Sequence, residues 1–389
     1  MEFRIERRAL AEAVGWAATS LPARTPVPVL GGLLLEAGDG RLRVSGFDYE
    51  VSAAIEVPAE TPAAGRVLVL GRRLTDVCRV LPDVTLRCAL EGSRFTVDGD
   101  GTLFGLSTLP LQDYPAAPEP PESQAAVDAA EFASAVAQVA VAAGRDDTLP
   151  VLTGIQVRLD GDLMTLAASD RYRYAVRTLP WKPERPLPEP VDLVVPGRRL
   201  TELSRALAKS GVLRVGLSRS AAGLIAFEGA GMLATLRLLE GRLPRYDKLF
   251  TLDGAAVATV EREPLADAVR RVAVVAEPNS PIRLDFSAGG TVVLQAGYED
   301  DVASQHLAAK LEGTAGMATA FNPAYLLEAL TSFTTPWVRF ELLGPGQRAL
   351  LTGAPDASAS PEVPASPEVP ASPDATPHRH LLMSLRPLA

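Results

Sequence analysis

Apolar and polar positions repeat in the same order three times along this 389-residue chain. ALAEAVGWAATSLPAR (Ala9 to Arg24), EFASAVAQVAVAAGRD (Glu131 to Asp146) and PLADAVRRVAVVAEPN (Pro264 to Asn279) each space apolar residues by one helical turn. The positions are Leu10, Val14 and Ala17, then Phe132, Val136 and Val139, then Leu265, Val269 and Val272. That spacing predicts three amphipathic helices with one buried face each. An apolar, strand-like run follows every copy: PVPVLGGLLLE, TLPVLTGIQVRL and SPIRLDF. Next come LRVSGFDYEVSAAIEV, LMTLAASDRYRYAVRTL and VVLQAGYEDDVASQHLAAKL, each predicting two strands joined by a polar turn. A second helix then recurs. VLVLGRRLTDVCRVL and LVVPGRRLTELSRAL share GRRLT at Gly71 and Gly197, and ATAFNPAYLLEALTSF is the diverged third copy.

Breaks in the pattern fall at the Pro-rich DYPAAPEPPESQ and at the turn-rich stretch between Pro244 and Asp253. They predict three similar domains, 1–120, 125–250 and 254–389. Strands outnumber helices and short turns join them, so the fold class is α+β, each domain an antiparallel sheet with two helices on one face. One segment stands outside the repeat. ASPEVP occurs at Ala359 and Ala365, and degraded as ASPDAT at Ala371. Its proline density predicts extended, mobile chain, an insertion at about residues 354–378 in the hairpin before the last strand.

Charge changes the picture because of where it sits. With 47 acidic and 38 basic residues the chain as a whole repels nucleic acid. Projected at the helical period, Leu74, Val77 and Leu81 share one side of the second helix, and Arg72, Asp76 and Arg79 the other. The next copy sets Leu200, Leu203 and Leu207 against Arg198, Glu202, Arg205 and Lys209. Arg72 to Pro82 holds three basic residues and one acidic, and Gly197 to Ser210 four and one. Such faces attract DNA phosphate without reading sequence, although a solvated helix surface has the same composition. The third copy, FNPAYLLEALTSF, offers only Glu328.

Candidate chemistry is sparse. The sequence shows no P-loop, GxGxxG, GxSxG or HExxH, which argues against an enzyme. Cys78 and Cys88 lack metal-ligand spacing and are expected as reduced core thiols. His306 stands alone, while His378 and His380, two ligands short of a closed metal site, are expected as a solvated pair. Asp146 and Asp170 are expected as turn formers or ion-pair partners. No apolar stretch reaches membrane-spanning length and no targeting segment stands out, so the expected location is the cytoplasm, with no metal, cofactor or membrane.

Taken together, LPARTPVPVLGGLLLE, SGFDYEVSA, LSTLPLQDYP, AAGRDDTLPVLTGI, ASDRYRYAVR, GRLPRYDKL, FNPAYL and the terminal LLMSLR resemble, in order and spacing, the bacterial sliding clamp family, the β subunit of DNA polymerase III, and are similar to its actinobacterial members. The resemblance covers almost the whole chain. It implies a non-catalytic processivity factor: three domains per chain, two chains joined head to tail as a homodimeric ring, and helices lining a hole that holds double-stranded DNA. On that analogy Arg24, Arg72, Arg73, Arg79, Arg198, Arg199 and Arg205 contact the duplex. Ring closure would use the edge segment LFGLSTL, with Leu103, Phe104 and Leu106, against a third domain carrying Val274 and Val275.

The family also implies a pocket for short hydrophobic motifs of the replicative polymerase, the clamp loader and repair proteins, and for peptide antibiotics. Matched residue by residue, it comprises Leu152, Ser169, Arg171, Tyr172, Arg173, Tyr174, Pro244, Lys248, Leu249, Asn322, Tyr325, Leu381, Leu382, Met383, Leu385 and Arg386; half of these are expected to be accessible. This chain departs from the family there. Tyr174 stands where leucine is usual, Ser384 where proline follows the terminal methionine, and Arg348 where a small residue or proline is common. These departures leave open a second reading, a clamp paralogue with an altered pocket that acts as a decoy or in resistance to clamp-binding antibiotics.

Overall fold

The computed structural model describes the chain except residues 23, 25, 26, 219–222, 246, 278, 279, 299, 358–377 and 387–389, and the side chains at 247 and 298. The Pro-rich insertion therefore lies almost wholly outside the described residues. Its flanking strands, Arg348–Ala354 and Arg379–Met383, pair antiparallel as the two sides of one hairpin. Seven helices are described: α1 (Arg7–Ala17), α2 (Gly71–Val80), α3 (Ala129–Ala140), the single turn α4 (Pro150–Thr153), α5 (Gly197–Leu207), α6 (Arg262–Val272) and α7 (Pro323–Ser332). The first and second helices of every repeat are thus α1 with α2, α3 with α5 and α6 with α7. Every apolar position that the periodicity assigned to them is buried.

Spatial proximity groups the chain into two units that do not follow the repeat boundaries. The first joins Met1–Ala133 with Trp181–Pro186 and Arg199–Leu238. It holds a five-stranded sheet in the order Glu60–Ala63, Glu2–Glu6, Thr85–Glu91, Arg94–Gly99, Thr102–Ser107. It also holds a nine-stranded sheet in the order Lys182–Pro183, Ser123–Asp128, Val212–Leu217, Leu224–Gly229, Met232–Arg237, Val51–Pro58, Arg41–Phe47, Gly32–Gly38, Gly65–Leu70. At its middle Met232–Arg237 of the second repeat pairs with Val51–Pro58 of the first, from Met232 opposite Ile55 to Leu236 opposite Val51.

Ser134–Pro180, Leu187–Arg198 and Leu239–Ala389 form the second unit, built on a twelve-stranded sheet. Val191–Pro196, Gly154–Asp160, Leu163–Ser169 and Arg173–Pro180 come from the second repeat. Arg379–Met383, Arg348–Ala354, Trp337–Leu342, Ala256–Glu261, Asp301–Glu312, Thr291–Tyr298, Ile282–Ser287 and Gly316–Phe321 continue it in the third. Arg173–Pro180 and Arg379–Met383 make the junction, Tyr174 lying opposite Leu381. The expectation of one sheet per domain is corrected accordingly. Strands of the first and second repeats divide between sheets, and two sheets run from one repeat into the next, which gives every junction strand a hydrogen-bonded neighbour instead of an open edge.

Helices pack closely on these sheets. In the first unit, Leu10, Ala13, Val14, Trp16 and Ala17 of α1 are buried, and the Trp16 indole N–H donates to the Ala54 carbonyl at 2.9 Å. The chain leaves α1 so close to strand Arg41–Phe47 that a Cβ on Gly46 would lie 2.3 Å from Ser20 Oγ and 2.9 Å from the Ala17 carbonyl. In the second unit Leu265, Val269 and Val272 of α6 and Leu326 and Leu330 of α7 share a core with Leu284, Leu294, Phe321 and Phe340. Gly46→Ala should destabilise the chain by roughly 1–3 kcal/mol through overpacking, read as a lower urea midpoint at unchanged slope.

Candidate functional sites

Basic side chains emerge from helix faces whose opposite side is anchored. In α2, Leu74, Val77 and Cys78 are buried, and Arg72, Arg73 and Arg79 are exposed. Arg72 also donates to the Pro22 carbonyl at 3.3 Å, so the end of α1 and the start of α2 frame an open cleft of about 400 Å³ lined by Leu21, Pro22, Arg72, Thr75, Asp76 and Arg79. Arg24 is exposed in the segment that follows α1. In α5, Leu200, Leu203 and Leu207 are buried, while Arg198, Arg205 and the following Lys209 are exposed. Arg199 differs from its neighbours. Its guanidinium donates to Asp48 at 3.1 Å, to the Thr19 carbonyl at 3.1 Å and to Glu202 at 3.4 Å. Arg199 is thus half-buried and tied to acidic partners, whereas Arg198 and Arg205 are exposed.

The sixteen residues expected in a peptide pocket all belong to the second unit, and the structure divides them by accessibility. Tyr172, Met383 and Leu385 are exposed apolar side chains, accompanied by exposed Arg171, Pro244, Lys248 and Arg386. Leu152, Leu249, Asn322 and Tyr325 are half-buried. Ser169, Arg173, Tyr174, Leu381 and Leu382 are buried. Asn322 caps α7, its side-chain oxygen accepting from the Ala324 and Tyr325 amides at 2.9 and 3.3 Å, which fixes the Tyr325 ring 6.2 Å from that of Tyr172. Buried Arg173 pairs with Asp170 at 3.0 Å and with Glu328, and lies 4.3 Å over the Tyr325 ring. Asp170 also accepts from the Tyr172 and Arg173 amides and Asp146 from the Thr148 amide, the turn-forming and ion-pairing roles expected of these carboxylates.

The same unit holds an apolar cluster of Tyr174, Leu243, Phe250, Leu252, Leu350 and Leu381, with Leu152 and Leu249 packed against it. Leu243, Phe250 and Leu350 were missing from the sequence expectation. Phe250 directly follows the GRLPRYDKL motif and could have been included; Leu350 enters only through its pairing with Leu381, which no local pattern encodes. At the strand edges, Thr102–Ser107 is the outermost strand of the five-stranded sheet, with Leu103 exposed and Phe104 and Leu106 half-buried. Val274 is 82% exposed and Val275 half-buried. Among the described pairings, residues 301–308 are bonded on one side only, and Val302, another residue not expected from sequence, is 81% exposed.

Comparison with known proteins places this arrangement. Family models described as the N-terminal, central and C-terminal domains of the DNA polymerase III beta subunit match residues 1–118, 126–245 and 247–365. The chain belongs to the DNA polymerase III beta subunit family. It is 49% identical to the beta sliding clamp of Streptomyces coelicolor over 92% of this chain and 96% of that one. It is 41% identical to the beta sliding clamp homolog GriR of Streptomyces muensis over 92% and 95% of the two chains. Its fold superimposes on the beta subunit of Pseudomonas aeruginosa with a TM-score of 0.86 at 25% identity, each chain covered fully, and equally on a clamp of that organism bound to griselimycin. The three-domain clamp fold and the function of a DNA sliding clamp follow.

Tyr174, Arg348 and Ser384, the three residues expected to set this chain apart, each have defined partners. The Tyr174 hydroxyl donates to the Pro244 carbonyl at 3.0 Å and its ring meets Phe250 edge-on. Arg348 donates to the Lys248 and Leu249 carbonyls, both at 3.0 Å. The Ser384 amide, which proline would lack, donates to the Gln347 carbonyl at 2.9 Å, and its hydroxyl accepts from the Gln347 amide at 3.0 Å.

One expectation is overturned. His378 and His380 are not solvated but buried, because Arg379–Met383 enters the sheet immediately after the Pro-rich segment. His378 lies 2.7 Å from the Ser332 hydroxyl and 3.3 Å from the Val176 carbonyl. The ring nitrogens of His380 have no hydrogen-bond partner among the described residues. Burial pushes His378 down to about 4 and holds His380 well below the usual histidine range. The unfolded chain therefore takes up protons that the folded chain refuses. Stability should fall as pH drops from about 6.5 toward 4. Urea melts across that window should show a smaller acid loss in His380→Leu than in the parent; an unchanged profile would contradict the assignment.

Proposed function

We propose that the chain acts in the cytoplasm as a non-catalytic processivity factor, two copies closing a ring around double-stranded DNA. The observation that carries this reading is the anchored cationic face of α2 and α5 in a chain of net charge −9. Buried leucines tether each helix to its core, and the exposed Arg72, Arg73, Arg79, Arg198 and Arg205, joined by Arg24, are assigned to phosphate, Arg79 while also paired with Asp76 at 3.4 Å. Arg199 serves the duplex less directly, since Asp48 and Glu202 neutralise it. Phosphate pairing of this kind is indifferent to base sequence and weakens steeply with salt, which suits a ring that must slide. Ring closure is assigned to the edge Thr102–Ser107, with the one-sided strand at 301–308 and Val274 on the partner copy, because apolar open edges seek strands.

The exposed shelf of Tyr172, Met383 and Leu385 beside Tyr325 is assigned to short hydrophobic motifs of polymerase, loader and repair proteins. Arg171, Arg245, Lys248 and Arg386, all exposed, favour motifs with acidic residues. A second reading, a paralogue with altered response to clamp ligands such as griselimycin, is favoured by one observation: the side chains that depart from the family here all bond to backbone around this shelf.

Two measurements test the assignment. Replacing Arg72, Arg79 and Arg205 together with alanine should weaken binding to any duplex sequence alike and lower the slope of log affinity against log salt by roughly 0.9 for each phosphate no longer neutralised, measured by fluorescence anisotropy. Unchanged salt dependence would reject these helices as the DNA surface. Tyr325→Ala should weaken binding of a fluorescent apolar peptide about tenfold or more, as loss of an aromatic anchor does. Equal affinity would place peptide binding elsewhere.

A further inference from the structure

Glu328 is the one charged residue of α7, and both of its carboxylate oxygens have partners. Oε1 accepts from exposed Arg145 at 2.8 Å, and Oε2 accepts from Arg173, whose side chain is buried. The same guanidinium donates through Nε to Asp170 at 3.0 Å and lies 4.3 Å from the centre of the Tyr325 ring. Two carboxylates therefore hold one planar cation by different nitrogens, which fixes its position over the ring. Tyr325 and Glu328 stand three residues apart on α7, so ring and carboxylate share one helix face and the guanidinium spans both. The preceding repeat is built otherwise. The Leu239 amide donates to the Val194 carbonyl just as the Leu385 amide donates to that of Ala320, which sets Arg199 and Glu202 of α5 at the register of Tyr325 and Glu328. There the carboxylate pairs with the arginine of its own helix at 3.4 Å. In α7 an aromatic ring stands in that arginine's place, and the cation comes from the strand Arg173–Pro180.

We propose that Glu328 is a positioning residue of the peptide site: through Arg173 it holds the Tyr325 ring in the orientation that receives an apolar side chain. A buried cation keeps its place only while its counter-charges do. With Asp170 alone, the guanidinium is held by one edge and can turn from the ring, and the cation–π contact weakens. Tyr325 then gains freedom that a bound peptide must remove again, which lowers affinity. Arg145 contributes less, because its side chain is 85% exposed and water screens that pair. The inference rests on the assignment of Tyr325 to peptide binding.

Calorimetry on the full-length protein, with an acetylated hexapeptide of Asp, Leu and Phe residues as probe, separates the possibilities. Glu328→Gln keeps the shape of the side chain and removes its charge, and Asp170 remains to neutralise Arg173. The variant should bind the probe roughly fivefold more weakly than the parent, given the worth of a desolvated cation–π contact. In a Tyr325→Leu background, where no ring is left to position, the same substitution should change nothing. Arg173→Lys keeps the charge but cannot bridge two carboxylates in one plane, so it should give the same pair of results, and it decides the question if Glu328→Gln does not melt in a single transition. Unchanged affinity in the parent background, or an equal loss with and without the ring, overturns the positioning role and leaves the peptide site standing. Binding indifferent to Tyr325→Ala overturns both.

Discussion

The structure depends on antiparallel pairing between strands that belong to different repeats. Met232–Arg237 completes the sheet that Val51–Pro58 begins, and Arg379–Met383 does the same for Arg173–Pro180. Without these ladders four strands would present rows of unsatisfied backbone groups, each expensive to bury and each an invitation to aggregate. The repeats therefore cannot be independent beads on a string. Side-chain pairs across the ladders add to the backbone bonds: the Ser52 and Thr235 hydroxyls meet at 2.6 Å in one junction, and Tyr174 faces Leu381 in the other. The second junction also bears on the proposed peptide site, since the strand that closes the sheet carries Leu381, Leu382 and Met383.

Electrostatics is organised on the same scaffold. Many acidic residues are spent in local pairs on strand surfaces, such as Glu56 with Arg43 and Asp160 with Arg158. Exposed pairs of this kind contribute little to stability. On α2 and α5 basic residues outnumber acidic ones, although Arg79 pairs with Asp76 and Arg199 with Asp48 and Glu202. Buried charge is rarer and more consequential. Arg173 pairs with both Asp170 and Glu328 beside the Tyr325 ring, and removing both carboxylates would strand a cation away from water. That network stiffens the shelf on which a peptide motif would rest.

The parts legible in the sequence were those with a short period. Leu10, Val14 and Ala17, or Leu200, Leu203 and Leu207, announce a buried helix face within two or three turns, and all are buried. The edge strand carrying Leu103, Phe104 and Leu106 was expected from the family resemblance, not from any local period, and it lies outermost in its sheet. Features that depend on distant pairing were not legible. The two sheets shared between repeats leave no local trace, nor does the meeting of Leu350 with Leu381. His378 and His380 misled because their neighbours in sequence are the Pro-rich tract, while their neighbours in space are Val176, Ser332 and Phe333. The pairing of Arg199 with Asp48, 151 positions away, likewise leaves no local trace.

If the account is right, the protein is held on DNA by topology rather than by the strength of its pairing with phosphate. The direct measurement is retention on DNA before and after the DNA is given ends: protein loaded on nicked circular duplex, isolated by gel filtration, then treated with a restriction enzyme that cuts once. The account predicts that the protein stays with the circle at moderate salt and dissociates when the circle is opened. Equal retention on circular and linear DNA, or none on the circle, would contradict it.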